Sequence, residues 1–202
     1  MEKELTNFRN GCSVALFALA TSFGVSTTAF ADATYVSDQG HTEVRFSWDH
    51  AGVTIQHGEF DTAVGTLNWS DDIESSSISV VIDAASVSSG FEALDTHLKS
   101  EDFLEVETYP EMTFESTSVE KTGENTMEIT GDLTIHGVTN SVVLEAEMTL
   151  LGDHPLGGSF DYYKGDWIAF QASTTIDHQA FEVGGFSTGP ISIEISTEMK
   201  AK

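Results

Sequence analysis

Seven histidines, an excess of carboxylates and one G-x-S-x-G run are the residues here whose types could do chemistry. His41, His50, His57, His97, His136, His154 and His178 stand among 33 aspartates and glutamates, the raw materials of a divalent-metal site or a general base. None of them forms H-x-H along a strand face or H-x₃-H on a helix, the spacings that let one segment supply two ligands. Hydrogen bonding in turns and core accounts for them. His97, flanked by Asp95 and Lys99, is positioned to tie a helix to a sheet. A His/Asp assembly across strands is the rival reading: a metal- or haem-associated redox or stress accessory protein using surface histidines. Gly185-Phe186-Ser187-Thr188-Gly189 matches a nucleophile elbow, which needs a strand before it, a helix after it and a later histidine. Pro190 and an alternating run follow, and His178, the last histidine, lies upstream, so the match is incidental. Asn68-Trp69-Ser70 is a formal glycosylation sequon that we expect to be idle. No catalytic residue, metal ligand or cofactor is expected.

Residues 1–31 have the layout of a secretory signal peptide. Lys3 and Arg9 lead, diluted by Glu2 and Glu4. Val14 to Val25 is the apolar stretch, broken by Thr21, Ser22 and Gly24 and so too short and polar to span a bilayer. Ala29-Phe30-Ala31 places small residues at the −3 and −1 positions of a cleavage site, which puts the mature start at Asp32. Cys12 precedes the apolar stretch, the wrong side for lipidation. We therefore expect a periplasmic protein.

The remaining 171 residues, 32–202, suit one domain with one sizeable core. They contain no cysteine, which excludes disulfides and thiolate metal sites. Without Lys3, Arg9, Glu2 and Glu4, six basic residues face 31 acidic ones, so the net charge stays at −25. Nucleic acid is excluded as a partner, because phosphate contacts need clustered Lys and Arg. Docking onto an anionic membrane by charge is excluded on the same ground.

Almost everywhere the apolar period is two. Val44, Phe46 and Trp48 alternate with Glu43, Arg45, Ser47 and Asp49, and the run turns across Ala51-Gly52 into Val53–His57 as a hairpin. Similar alternation marks 78–82, 112–114, 127–135, 142–150, 167–176 and 191–199. One buried and one wet face is the mark of antiparallel sheets, and eight or more such strands fit a barrel or a sandwich. The many large inward candidates favour a barrel with a cavity. The Gly-rich stretches 152–165 and 184–189 read as flaps at its mouth.

The one helical segment lies in 88–114. Phe91, Leu94 and Leu98 form an apolar stripe at i, i+3 and i+7. Ser88 or Ser89 can cap its start, with Glu92 completing a capping box from Ser89. A second short turn spans Ser100 to Leu104, and Tyr109-Pro110 stops any helix. The insert is read as a plug or lid that closes one end or side of the cavity.

Three ordered motifs then give a resemblance. Asp95-x-His97-Leu98-Lys99-Ser100-x-Asp102-Phe103, Tyr109-Pro110-x-Met112-Thr113-Phe114-x-Ser116-Thr117 and Gly131-Asp132-Leu133-Thr134-Ile135-His136-Gly137-Val138-Thr139 are similar to those of the YceI-like family. His41-Thr42-x-Val44-x-Phe46, His50-x-Gly52 and Gly58-x-Phe60 resemble its opening strands, so the likeness spans 33–200. The resemblance implies an all-β, antiparallel eight-stranded lipocalin-like β-barrel with a short helical insert after about the fourth strand. It also implies a periplasmic binding or transport role, in which an apolar pore carries or sequesters a polyisoprenoid or other long-chain amphiphilic lipid. Residues expected to line that pore are Phe46, Trp48, Val80, Ile82, Leu94, Leu98, Phe103, Phe114, Leu133, Leu144, Met148 and Phe170. The expected ligand is an isoprenoid lipid or quinone, with transient contact to a membrane protein; a monomer and a dimer both remain open. Where the family usually has basic residues, this chain has Leu94, Asn140-Ser141 and the run Asp177-His178-Gln179-Ala180-Phe181-Glu182. The missing charge argues against a diphosphate head group.

So acidic a chain repels itself at close quarters when counterions are scarce. We expect the melting temperature to rise clearly from ~10 mM to ~1 M NaCl, as the Debye length falls from about 30 to about 3 Å. Flat melting temperatures across that range would reduce the charge to a solubility feature.

Overall fold

The computed structural model describes residues 32–184 and 189–202. The expected signal peptide and residues 185–188, which make up most of the G-x-S-x-G run and of the flap expected at 184–189, lie outside the described residues. Ten strands follow one another as β1 (Ala33–His50), β2 (Thr54–Phe60), β3 (Ala63–Trp69), β4 (Ser77–Asp83), β5 (Val87–Ser88), β6 (Glu111–Lys121), β7 (Thr126–Ile135), β8 (Val138–Asp153), β9 (Asp166–Asp177) and β10 (Pro190–Ala201). One helix, α1 (Glu92–Leu98), lies between β5 and β6. Every pairing is antiparallel, and β10 pairs back onto β1, so the sheet closes. Eight strands make the ring: β1, β3, β4, β6, β7, β8, β9 and β10.

β1 has two neighbours on one edge because it is 18 residues long and irregular between Ser37 and Thr42. Its start, Ala33 to Val36, pairs with β3, and Val44 to His50 pairs with β2. β5 then adds to the outer edge of β2. The expected hairpin forms at Ala51-Gly52, where both residues have positive φ (57° and 73°) as a tight turn of this hand requires. Period-two patterning becomes burial directly. In β3, Ala63, Gly65, Leu67 and Trp69 are buried while Val64 and Asn68 are exposed.

The helix forms where expected but starts differently. Phe91 is its N-cap residue and offers no side-chain cap, and Glu92 does not close a capping box. Asp95 reaches back instead, accepting from the Ser89 hydroxyl at 2.5 Å and the Ser89 backbone N–H at 2.7 Å. Those bonds hold the Asp95 carboxyl below the usual carboxylate range. An aromatic cap without an oxygen leaves the first turn to be fixed from inside the helix. The Ser100 to Leu104 stretch is a run of turns.

The 152–165 stretch is not a flap at a mouth. It joins β8 to β9 at the end opposite α1 and folds back over the outer wall of the barrel. There it covers Trp167, an outward-facing residue that is nonetheless fully buried. The Trp167 indole N–H donates to the Tyr163 carbonyl at 3.0 Å, and the Tyr163 ring stacks on His154 at 4.2 Å. Lys200 lies 5.2 Å above the Trp167 ring and donates to the Tyr162 carbonyl. Alternation predicts which wall a side chain faces; it does not predict that a loop will build a second small core outside.

Polar side-chain contacts finish this attachment. His41 Nδ1 lies 2.7 Å from Asp38, Tyr163 Oη is 3.4 Å from His41 Nε2, and His154 Nε2 is 3.4 Å from Glu198. Burial would raise the Asp38 carboxyl, but hydrogen bonds from His41, Tyr162 and Gly40 outweigh it and leave it low. His41 is raised, first by its hydrogen bond to Asp38, against burial, with Glu198 adding attraction. A raised His41 stabilises fully below ~6.5 and loses that contribution as pH climbs through its folded value. A lowered Asp38 stabilises above ~3.9 and loses its contribution as pH falls through its own lowered value. The tie is therefore strongest between about pH 4 and 6.5. Because His41 is 43% exposed, screening limits it to about 1 kcal/mol. We expect amide exchange across 154–165, corrected for intrinsic rates, to quicken above that window, and His41→Gln to flatten the upper limb. Unchanged protection up to pH 9 would contradict the assignment.

Candidate ligand-binding pore

The inward faces of the eight strands do not meet. They enclose one continuous cavity of about 1150 Å³, larger than the roughly 300–1,000 Å³ of ordinary small-molecule pockets. From Phe170 to His178 the wall climbs eight residues of β9 and its turn, which at ~3.3 Å per residue and ~40° tilt is a height of ~20 Å. Exposed Asp49, His50, Ala51 and Gly52 line one end together with Phe91 of the helix, so the mouth opens between the β1–β2 hairpin and α1. The far end is walled by Tyr35, Leu67, Trp69, Ile168 and Met199, all buried.

Eleven of the twelve expected lining residues face this space: Phe46, Trp48, Val80, Ile82, Leu94, Leu98, Phe103, Phe114, Leu133, Leu144 and Phe170. Met148 does not. Next to it β8 and β9 shift register between Met148 and Leu150, and its side chain packs into the buried clusters below the cavity. α1 contributes Leu94, His97 and Leu98 to the lining and its N-cap contributes Phe91, so the insert borders the pore at its mouth without plugging it.

Two glycines keep the pore open. A Cβ on Gly58 would stand 2.4 Å from the Phe46 ring, and one on Gly131 would stand 2.3 Å from the Phe114 ring. Each ring thus lies flat over a bare stretch of the neighbouring strand rather than filling the lumen. A glycine inside a strand signals close approach of this kind, and both were legible on that ground.

Polar atoms inside are few and mostly satisfied by the wall. Thr42 and Thr197 hydroxyls pair at 2.8 Å, and the Ser37 hydroxyl accepts from Gly65 N–H. Trp69 Nε1 and His178 Nε2 are buried atoms of lining residues and have no partner among the described residues. Among the described residues no Lys or Arg lines the cavity. Arg45 is outside with Glu43 and Glu194, and Lys164 pairs with Asp161 at 2.6 Å. The remaining histidines do not converge: His97 meets Asp102 at 3.1 Å, and His136 meets Glu105 at 3.2 Å beside Tyr109. On the outer wall Asp38, His41 and Glu198 bring ligand atoms within 4.8 Å of one another. Beside them His154 Nδ1 accepts from Leu156 N–H at 3.1 Å and Nε2 lies 3.4 Å from Glu198.

The family model of the YceI-like domain matches residues 35–201. The chain belongs to the YceI-like family. A UPF0312 protein of Pseudomonas putida (strain W619) is 36% identical over 188 residues, covering 91% of this chain and 94% of that one. Among solved structures, Burkholderia cenocepacia BcnA superposes with a TM-score of 0.68 at 21% identity, over 80% of this chain and 98% of that one. A polyisoprenoid-binding domain from Saccharophagus degradans, implicated in plant cell wall breakdown, gives 0.62 at 14% identity, over 85% and 99%. At such identities the likeness is one of fold.

The YceI-like motifs are brought together at the helix end of the barrel, where they brace the insert. Asp95 ties down Ser89, Glu105 and Tyr109 embrace His136, and Gly137 at φ 73° leaves room for the Tyr109 ring. Their part is thus to hold the wall of the mouth in shape. We expect Gly131→Ala to cost about 1–3 kcal/mol in a urea titration, because the new methyl meets the Glu115 carbonyl as well as a ring. Gly58→Ala meets only the Phe46 ring, so it should cost less and instead drive that ring into the lumen. A crystal structure of the variant with an undiminished cavity would contradict this.

Proposed function

We propose that this protein is exported to the periplasm and there carries or sequesters a long-chain amphiphilic lipid, without chemistry of its own. The observation that carries the reading is the cavity: a deep tube whose wall is almost wholly apolar and which, among the described residues, has no Lys or Arg in its lining. An elongated chain suits it, since each methylene taken from water contributes roughly 0.8 kcal/mol before ordering costs. The fold shared with a domain described as polyisoprenoid-binding supports an isoprenoid or a chain of similar build. A diphosphate head is disfavoured, because its charge would need cations that this wall does not supply. A quinone ring, an alcohol or an amide meets no such penalty. Transient contact with a membrane protein would load and unload the lipid.

A metal-associated accessory role has one observation behind it, the Asp38, His41 and Glu198 group. His41 Nδ1 is already engaged by Asp38, and the cavity has no part in that reading, so the carrier takes precedence. Protein purified without detergent should release a long-chain lipid in near-equimolar amount to mass spectrometry of its solvent extract. In competition, a long-chain quinone should bind more tightly than a polyprenyl diphosphate of equal length. An empty extract together with stoichiometric metal on the same sample would overturn the reading in favour of the rival.

A further inference from the structure

His178 opens the turn after β9, and the chain fixes it from three sides. The Asp177 carboxylate accepts from Gln179 N–H at 3.0 Å, the His178 carbonyl accepts from Val183 N–H at 3.2 Å, and the ring Nδ1 lies 2.6 Å from the Val183 carbonyl. A carbonyl can only accept, so Nδ1 carries a proton. In the neutral ring Nε2 then presents a lone pair. The residue is 7% exposed and is one of those lining the cavity, while Nε2 itself is covered and has no partner among the described residues. A buried acceptor left unpaired forfeits its hydration without return, so a site that keeps one has a use for it. Phe103 encloses the same spot: Gly184, at φ 58°, lies so near that an added Cβ would stand 2.8 Å from the Phe103 ring and 3.7 Å from His178 Cε1.

We propose that the head of the bound lipid lies at this end of the pore and donates a hydrogen bond to His178 Nε2. The ligand is then a long-chain molecule with a hydroxyl or N–H head, such as an alcohol, a hydroquinone or a primary amide, rather than one whose head only accepts. The proposal rests on the reading of the pore as a lipid site. It deepens that reading by choosing among neutral heads. Trp69 Nε1, the other unpaired atom that belongs to a lining residue, is a donor and would suit an acceptor head at the far end. That end is walled by Tyr35, Leu67, Ile168 and Met199, whereas the mouth is beside α1. A head bound at Trp69 would have to cross the whole apolar lumen, while a tail can do so without losing hydration.

The test compares 1-hexadecanol, hexadecanamide and hexadecyl methyl ether as displacers of a fluorescent fatty-acyl probe from the delipidated protein. The alcohol and the amide should bind about five- to tenfold more tightly than the ether, the value of one hydrogen bond. His178→Leu should level the three without weakening the ether, His178→Gln should keep the preference through its own carbonyl oxygen, and Trp69→Phe should change nothing. Equal binding of alcohol and ether by the wild type would overturn the proposal, as would a preference erased by Trp69→Phe but not by His178→Leu. Because the wild type must itself discriminate, a His178→Leu variant that fails to fold leaves the test standing. If none of the three compounds binds, the lipid-carrier reading falls, and this proposal falls with it.

Discussion

Everything in this molecule depends on β10 pairing with β1. That ladder runs from Tyr35 opposite Ala201 to Trp48 opposite Ile191, and it pairs the edges that β1 and β10 would otherwise expose. Closure also converts period-two patterning from a statement about faces into a statement about inside and outside. Apolar alternates on all eight strands then share one lumen. Whether such a lumen is filled or hollow is a matter of side-chain direction, since eight strands leave an interior that side chains can only just fill. Here Phe46 and Phe114 lie against the wall over Gly58 and Gly131, and the space between remains open.

The charge of the chain follows the same division. With −25 on 202 residues, the acid belongs on the outer surface, and the few cations are used there. Arg45 lies between Glu43 and Glu194, Lys164 beside Asp161, and Lys200 over Tyr162 and Trp167. No cation among the described residues lines the cavity. The lumen is therefore apolar in wall and poor in charge, and the polar groups it presents are hydroxyls and imidazoles.

The two ends differ in kind. At the far end, buried Tyr35, Trp69, Ile168 and Met199 pack together, and the 154–165 loop seals the outer wall over Trp167. At the other end, α1, the turns to Tyr109 and the turn at His178 are each held by side-chain bonds to neighbours: Ser89 to Asp95, His136 to Glu105, and Asn140 to the Ala180 carbonyl. Rigid walls around a mouth formed by a short helix and a hairpin tip make an opening that can admit a chain without unfolding the barrel.

Much of this was legible in the residue order. Alternation named the strands, Ala51-Gly52 the hairpin, and Phe91, Leu94 and Leu98 the helix and its inward face, because these signals are local and each residue's period is set by its own backbone. The family motifs added closure, and eleven of the twelve residues read as lining do face the cavity. Three things were decided only by tertiary structure. Met148 is removed from the lining by a register shift between β8 and β9, which depends on two strands at once. The 154–165 loop became an outer cover and not a flap, because Trp167 faces outward and only a distant set of residues (His41, Asp38, Glu198, Lys200) can receive it. His178 reads in sequence as one more turn histidine; its single unpaired nitrogen exists only because Val183 takes the other and the fold buries the ring. The sequence by itself determined which residues face inward; the closed fold decided which of those inward polar atoms would be left for a ligand.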